Sequence, residues 1–156
     1  MTVSPRKAAT GGSVMRSKPF TKKDKKLIRQ VCDIVRHHLG IGEIGCEYDF
    51  HPKHRKSDNT TLAAAFVFNS GWYLLIEFYD AFFQGSLERQ INTIVHEHLH
   101  VAMQPFDQIL IRMEDMLLKR HRPLFEENVH VAREIVVDRL AAPIAKLLEP
   151  HLRKVL

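Results

Sequence analysis

The stretch of the sequence best suited to chemistry is His96-Glu97-His98-Leu99-His100, in which two histidines lie four residues apart and a glutamate follows the first of them. On an α-helix, positions i and i+4 share a face, so His96 and His100 are able to present imidazole nitrogens to one metal ion. Glu97 lies close enough to that face to reach a water activated by the metal without being a ligand itself. This spacing therefore predicts hydrolysis, in which the metal polarises a carbonyl group and the carboxylate takes up the proton of the water.

The motif is rare by chance, and it falls on a segment with helical periodicity. With ten histidines in 156 residues and as many glutamates, about 0.04 random occurrences are expected. The apolar side chains of the segment share one arc of such a helix, and they are Leu87, Ile91, Ile94, Val95, Leu99 and Ala102. His98 falls within this arc, so we expect it to be buried and hydrogen-bonded rather than bound to a metal. The alternative is a histidine-rich amphipathic helix without a metal.

The motif and its setting resemble the zincin metallopeptidases, whose active-site helix carries the same pattern after a small sheet. The predicted order of a helix, three strands and the motif helix matches that core in outline over roughly residues 22–140. The resemblance implies one catalytic Zn²⁺ bound by His96 and His100, with Glu97 as general base, and a peptide or protein as substrate. Leu commonly follows the catalytic glutamate in the family, whereas this sequence has His98 there.

The third metal ligand decides which branch of the family the sequence resembles. Metzincins require a glycine and a histidine three and six residues after the second motif histidine, but Met103 and Phe106 stand there, so that branch is excluded. Gluzincins use a glutamate on a downstream helix with an acidic residue four positions later, and Glu134 and Asp138 fit that pattern. The resemblance to a minimal gluzincin, of the kind found among small bacterial and bacteriophage-type metallopeptidases, therefore implies Glu134 as third ligand. It implies Asp138 as a hydrogen-bond acceptor for an imidazole N–H.

Other assignments on the same helix stay open. Glu127 and His130 are rival third ligands, and the alternative to a metal site is a helix whose acids pair with Arg133, Arg139 or solvent. The sequence lacks the cysteine zinc ribbon usual in SprT-like proteases, which counts against that subfamily. Four residues are candidates for stabilising an oxyanion, and they are Tyr73, Tyr79, His121 and Arg133.

The elements that must position these residues follow from hydrophobic patterning. The predicted helices cover about 22–39, after a Thr21 cap and before Gly40, then Gly85-Ser86 to about Met103, about 107–119, and about 124–154, with Pro143 kinking or dividing the last. Three strands are predicted near 44–51, 62–69 and 72–79, as an antiparallel meander. We therefore expect an α+β, zincin-like fold with an N-terminal helix, a small, mostly antiparallel three-stranded sheet, the motif helix and a C-terminal third-ligand helix.

Composition places the chain in the class of single globular domains. It has 23 Lys and Arg against 18 Asp and Glu, and 45% of its residues are apolar. Residues 1–26 contain eight basic side chains against Asp24 alone, a net charge of +7 that leaves −2 for the remainder. We expect a flexible basic arm over 1–20 and one domain over 21–156, with weak polyanion contact through residues 1–26.

Two further expectations concern location and metal type. No apolar run is long enough to span a bilayer, which predicts a soluble, cytoplasmic protein without a membrane partner. Cys32 and Cys46 are too few for a cysteine-built zinc site, so histidines and carboxylates must hold the metal. The sequence does not predict an oligomeric state.

Two alternatives to peptide hydrolysis remain. The first is a non-proteolytic zinc-binding domain that docks on nucleic acid or an assembling particle through its basic arm. The second is a hydrolase for some other amide or ester. Glu97 argues against a purely structural zinc site, because such a site does not require a carboxylate beside the metal.

Overall fold

A computed structural model describes residues 20–51, 63–68 and 73–155. Four α-helices and a three-stranded sheet make up this part of the chain, which confirms the predicted α+β class. In chain order the elements are α1 (Lys22–His38), β1 (Gly45–His51), β2 (Ala63–Phe68), β3 (Tyr73–Tyr79), α2 (Leu87–Ala102), α3 (Gln104–Asp115) and α4 (Arg122–Leu152). Short 3₁₀ turns at Asp80–Gln84 and Lys119–His121 precede α2 and α4. The arm predicted over residues 1–20 lies outside the described residues, except for its last position.

Helix α1 begins and ends where the sequence predicts. The Thr21 hydroxyl accepts a hydrogen bond from the backbone N–H of Asp24, and the Asp24 carboxylate accepts one from the Thr21 N–H at 2.8 Å, which completes a capping box. Gly40 follows the helix with a φ of 71°, a left-handed conformation that glycine adopts without steric cost. The buried face of the helix carries Ile28, Val31, Cys32 and Val35.

The sheet does not have the predicted connectivity. Its strand order is β1-β3-β2, with β1 parallel to β3 and β2 antiparallel to β3. The predicted antiparallel pairing of β2 with β3 is confirmed, whereas the predicted meander is wrong for β1, which pairs in parallel with β3 instead of antiparallel with β2. Strand β3 takes the centre, where it is buried on both faces, whereas β1 has the alternating burial of an edge strand.

Strand β3 has core side chains on one face and a buried polar pair on the other. Leu74, Ile76 and Phe78 lie on one face and are fully buried in the hydrophobic core. On the opposite face Glu77 is only 2% exposed. Its carboxylate accepts a hydrogen bond from the Tyr79 hydroxyl at 2.5 Å, which offsets part of the cost of burying this acid.

Helix α2 lies at the centre of the helical layer and contacts α1, β2 and α4. The Ser86 hydroxyl caps its first turn by accepting a hydrogen bond from the Arg89 N–H. Its predicted apolar arc is buried for the most part, at Ile91, Ile94, Val95 and Leu99. Because these side chains fix the rotation of the helix, the opposite arc with His96 and His100 is held toward α4.

The last two helices differ from their predicted bounds. Helix α3 begins at Gln104, earlier than expected, because Pro105 occupies its first turn, where no backbone N–H is needed. Helix α4 continues through Pro143, so the predicted division does not occur. Pro143 lies on the exposed side of α4, where water is able to satisfy the carbonyl that loses its N–H partner. No described helix is both long and apolar enough to cross a membrane.

Candidate metal centre

Two helices that run in opposite directions build the centre. His96 and His100 lie one turn apart on α2, and Asp138 and Glu134 lie one turn apart on α4. His96 contacts Asp138 and His100 contacts Glu134, so the sequence order is reversed between the two helices. Val137 and Ala141, both fully buried, anchor the same side of α4 in the core.

The side chains of His96, His100 and Glu134 converge on one point. The two Nε2 atoms are 3.1 Å apart, and the Glu134 carboxylate oxygens lie 3.6 Å from Nε2 of His96 and 3.7 Å from Nε2 of His100. Among the described residues, these three form the one group of histidine, cysteine or acidic side chains close enough to hold a metal ion together. Bonds of about 2.1 Å in tetrahedral geometry would separate the ligand atoms by about 3.4 Å, so the spacing fits Zn²⁺.

The contact with Asp138 favours one tautomer of His96. Oδ1 of Asp138 lies 3.1 Å from Nδ1 of His96. A carboxylate only accepts hydrogen bonds, so this contact favours the neutral tautomer of His96 that has its proton on Nδ1, which leaves Nε2 with a lone pair on the side of His100 and Glu134. If His100 also has its proton on Nδ1, the two Nε2 lone pairs and the Glu134 carboxylate repel one another, and a cation between them removes that repulsion.

The two remaining polar residues of the motif have different environments. Glu97 follows the first histidine on α2 and is 8% exposed. His98 is completely buried, as predicted, and its Nδ1–H donates to the Ile94 carbonyl at 2.7 Å. Its Nε2 has no hydrogen-bond partner in the described part of the chain. His98 therefore lies on the side of α2 that faces the core, and it does not face the cluster of His96, His100 and Glu134.

Burial shifts the pKa of two histidines downward. Loss of hydration lowers the pKa of His98 to about 4, against a smaller opposing effect of the Ile94 carbonyl. Burial also lowers the pKa of His100, although the nearby Glu134 carboxylate acts in the opposite direction. Burial therefore favours the neutral imidazole in both residues. For His100 the neutral imidazole is the form that binds a metal.

The rival third ligands lie outside the cluster. His130 is 65% exposed and its Nδ1 is 3.9 Å from the Glu134 carboxylate, so it borders the site without joining the group. Glu127 is exposed on α4 and is not part of the group either.

Two of the proposed oxyanion-stabilising residues have other partners. Tyr79 is buried and donates its hydroxyl proton to Glu77. Arg133 donates from Nη1 to the Asp107 carboxylate at 3.2 Å, which links α3 to α4. The charges of both members of this pair act on the pKa of His100, in opposite directions. Sequence reasoning missed Asp107, because 26 residues separate it from Arg133 and no helical periodicity relates positions on two different helices.

Comparisons of the chain with protein-family models, with curated proteins and with solved structures found no match.

Proposed function

We propose that this protein is a zinc-dependent metallopeptidase. The observation that carries the proposal is the convergence of three ligand atoms, from His96 and His100 on α2 and Glu134 on α4, beside a glutamate that follows the first histidine. The donor set of two imidazoles and one carboxylate is a common one for catalytic zinc, and the distances between the donor atoms suit a tetrahedral ion. A zinc ion in such a site supplies a Lewis acid for a carbonyl oxygen and lowers the pKa of water.

Two carboxylates have separate roles in the proposed reaction, one in proton transfer and one in orienting a ligand. The carboxylate of Glu97 accepts the proton of the attacking water and passes it to the amine that leaves when the peptide bond breaks. Asp138 holds the proton on Nδ1 of His96 and thereby fixes the orientation of that ring. Substitution of such a supporting carboxylate typically lowers metal affinity by about 10- to 100-fold.

The test separates metal binding from catalysis. We expect Glu97→Gln to keep bound zinc, because Glu97 is not a member of the ligand group, and to lose peptide hydrolysis by about 10²- to 10⁴-fold. Zinc content after dialysis and cleavage of a peptide library measure the two properties. Glu127→Gln is the matched control, since it makes the same change at an exposed position of α4 and should retain both. Equal hydrolysis by wild type and Glu97→Gln would contradict the proposed mechanism.

A second candidate function rests on the charge distribution. The net charge of +7 in residues 1–26 suits a zinc-binding domain that docks on nucleic acid or an assembling particle without proteolysis. For that function Glu97→Gln has no effect, because nothing is cleaved. Hydrolysis of a different amide or ester would instead show as activity that depends on Glu97 but is absent with peptides.

A further inference from the structure

The N-terminal half of α2 and the C-terminal half of α4 form an open cavity of about 740 Å³. Its volume lies in the range of about 300–1,000 Å³ that is typical of ligand sites. None of the metal-binding side chains lines it. The side chains that matter for its chemistry are Glu88, Arg89, Lys146, Glu149 and Arg153.

The cavity directly adjoins the candidate metal centre. Asn92 and Ala142, which line the cavity, lie one helical turn from His96 and Asp138 respectively. Arg89 precedes His96 by seven residues, which places both on the same face of α2 about 10 Å apart along the helix axis. An extended peptide covers that distance with about three residues. A polypeptide held at the metal centre is therefore able to place a side chain in the cavity.

The charges of the cavity lining do not balance. Arg153 forms an ion pair with Glu149, with Nε 2.8 Å from the carboxylate. Arg89 and Lys146 form no ion pair within the described part of the chain, and Glu88 is the one cavity acid left to oppose them. The guanidinium of Arg89 is able to bind a carboxylate through two hydrogen bonds, and Lys146 adds a second positive charge from the opposite helix. This lining suits an anion.

We propose that the cavity binds the side-chain carboxylate of an Asp or Glu in the polypeptide substrate, about three residues from the bond that is cleaved. The assignment rests on the proposed peptidase function for the identity of the occupant as a polypeptide. Arg89 and Lys146 supply the positive charge, and the adjoining metal centre fixes the distance between the acidic residue and the bond. Cleavage is thereby directed to sites with an acidic residue at that spacing.

The experiment measures binding separately from cleavage. The probes are fluorescent ten-residue peptides of Ala, Gly and Ser with one Glu at each position in turn, and a matched set with Gln. Their affinity for the full-length Glu97→Gln variant is measured by fluorescence anisotropy, so that no hydrolysis is needed. We expect about tenfold tighter binding of the best Glu peptide than of its Gln partner, and about a three- to tenfold loss of that preference with Arg89→Gln or Lys146→Gln.

Two further variants test whether positive charge strengthens binding of the Glu peptide and whether the binding takes place in the cavity. Glu88→Gln removes the opposing charge from the cavity and should strengthen binding of the Glu peptide. Arg112→Gln makes the same charge change as Arg89→Gln at an exposed site on α3 outside the cavity, and it should leave the preference unchanged. Equal effects of Arg89→Gln and Arg112→Gln would overturn the assignment. So would an affinity that disappears when the C-terminus of the peptide is amidated, because the terminal carboxylate would then be the group recognised.

The outcome distinguishes this assignment from the proposed function. Charge-dependent binding that Arg89→Gln weakens, in a protein that hydrolyses no peptide, supports the cavity and contradicts the peptidase. Equal cleavage of Glu and Gln peptides by the wild-type protein supports the peptidase and contradicts the cavity.

Discussion

At the scale of single residues, the strongest expectation concerns Glu134. Its carboxylate is 34% exposed and lies within 3.7 Å of both motif imidazoles, so its removal takes away one of the three candidate ligand groups. We expect Glu134→Ala to lose bound zinc, whereas Glu127→Ala and His130→Ala keep it. Metal content after dialysis against zinc-free buffer is the measurement. Full zinc in Glu134→Ala would show that the gluzincin-type ligand set is wrong.

His98 predicts a particular pH dependence of stability. Burial holds its pKa in the folded protein at about 4, whereas in an unfolded chain a histidine titrates at about 6.5. As the pH falls below 6.5 the unfolded state takes up a proton that the folded state does not, so the free energy of unfolding decreases down to about pH 4, by up to about 3 kcal/mol.

The variant His98→Leu isolates this effect. It lacks the titrating group, so its free energy of unfolding should fall less than that of the wild type between pH 7.5 and pH 5. Urea unfolding with EDTA present makes the measurement, because chelation removes any contribution of a bound metal. All other histidines are common to both proteins and cancel in the difference. Parallel pH profiles would contradict a neutral, buried His98.

Residues on one element were predictable from the sequence, and pairs between elements were not. The i, i+4 spacing alone places His96 and His100 on one face, and the helical arc alone predicts the burial of His98. The Asp107–Arg133 pair depends on how α3 packs against α4, and no local pattern encodes that packing. Glu134 was predicted only through resemblance to a family, since residue spacing by itself left Glu127 and His130 open.

At the scale of elements, the geometry of the site depends on the packing of α4 on α2. Val137 is fully buried, whereas its neighbour Val136 is 40% exposed. We expect Val137→Ala to lower the free energy of unfolding by about 2 kcal/mol, because two buried methyl groups are lost and a cavity is left. Val136→Ala is the matched control, with a change within about 0.5 kcal/mol. Urea denaturation of both variants makes the comparison, and equal destabilisation would contradict the described orientation of α4.

The sheet shows which element-level information the sequence lacks. The three strands and the antiparallel pairing of β2 with β3 were predicted from the sequence, but the parallel pairing of β1 with β3 was not, because hydrophobic patterns do not identify the neighbour of a strand. The strongly apolar sequence of β3 is consistent with a central strand buried on both faces. Similarly, Pro143 was expected to kink or divide α4, and the helix continues through it because the freed carbonyl faces water, which is a property of the packed helix.

At the scale of the whole molecule, the uneven distribution of charge along the sequence predicts which residues bind polyanions and how that binding depends on salt. Residues 1–20 contain Arg6, Lys7, Arg16 and Lys18 and no acid, whereas the positions after residue 26 have a net charge of −2. Each phosphate contact releases counterions, so binding to duplex DNA should weaken steeply with salt, and deletion of residues 1–20 should lower the slope of log K against log salt by up to about 4.

We expect zinc binding to survive this deletion, because the candidate ligands belong to α2 and α4 and none of them belongs to residues 1–20. The two properties are measured on the same preparations, DNA affinity by titration at several salt concentrations and zinc content by dialysis. An unchanged salt slope after deletion would place polyanion contact elsewhere, with the four lysines of the first turns of α1 as the next candidates. Loss of zinc on deletion would instead couple the basic segment to the fold of the metal-binding domain, contrary to the division between arm and domain.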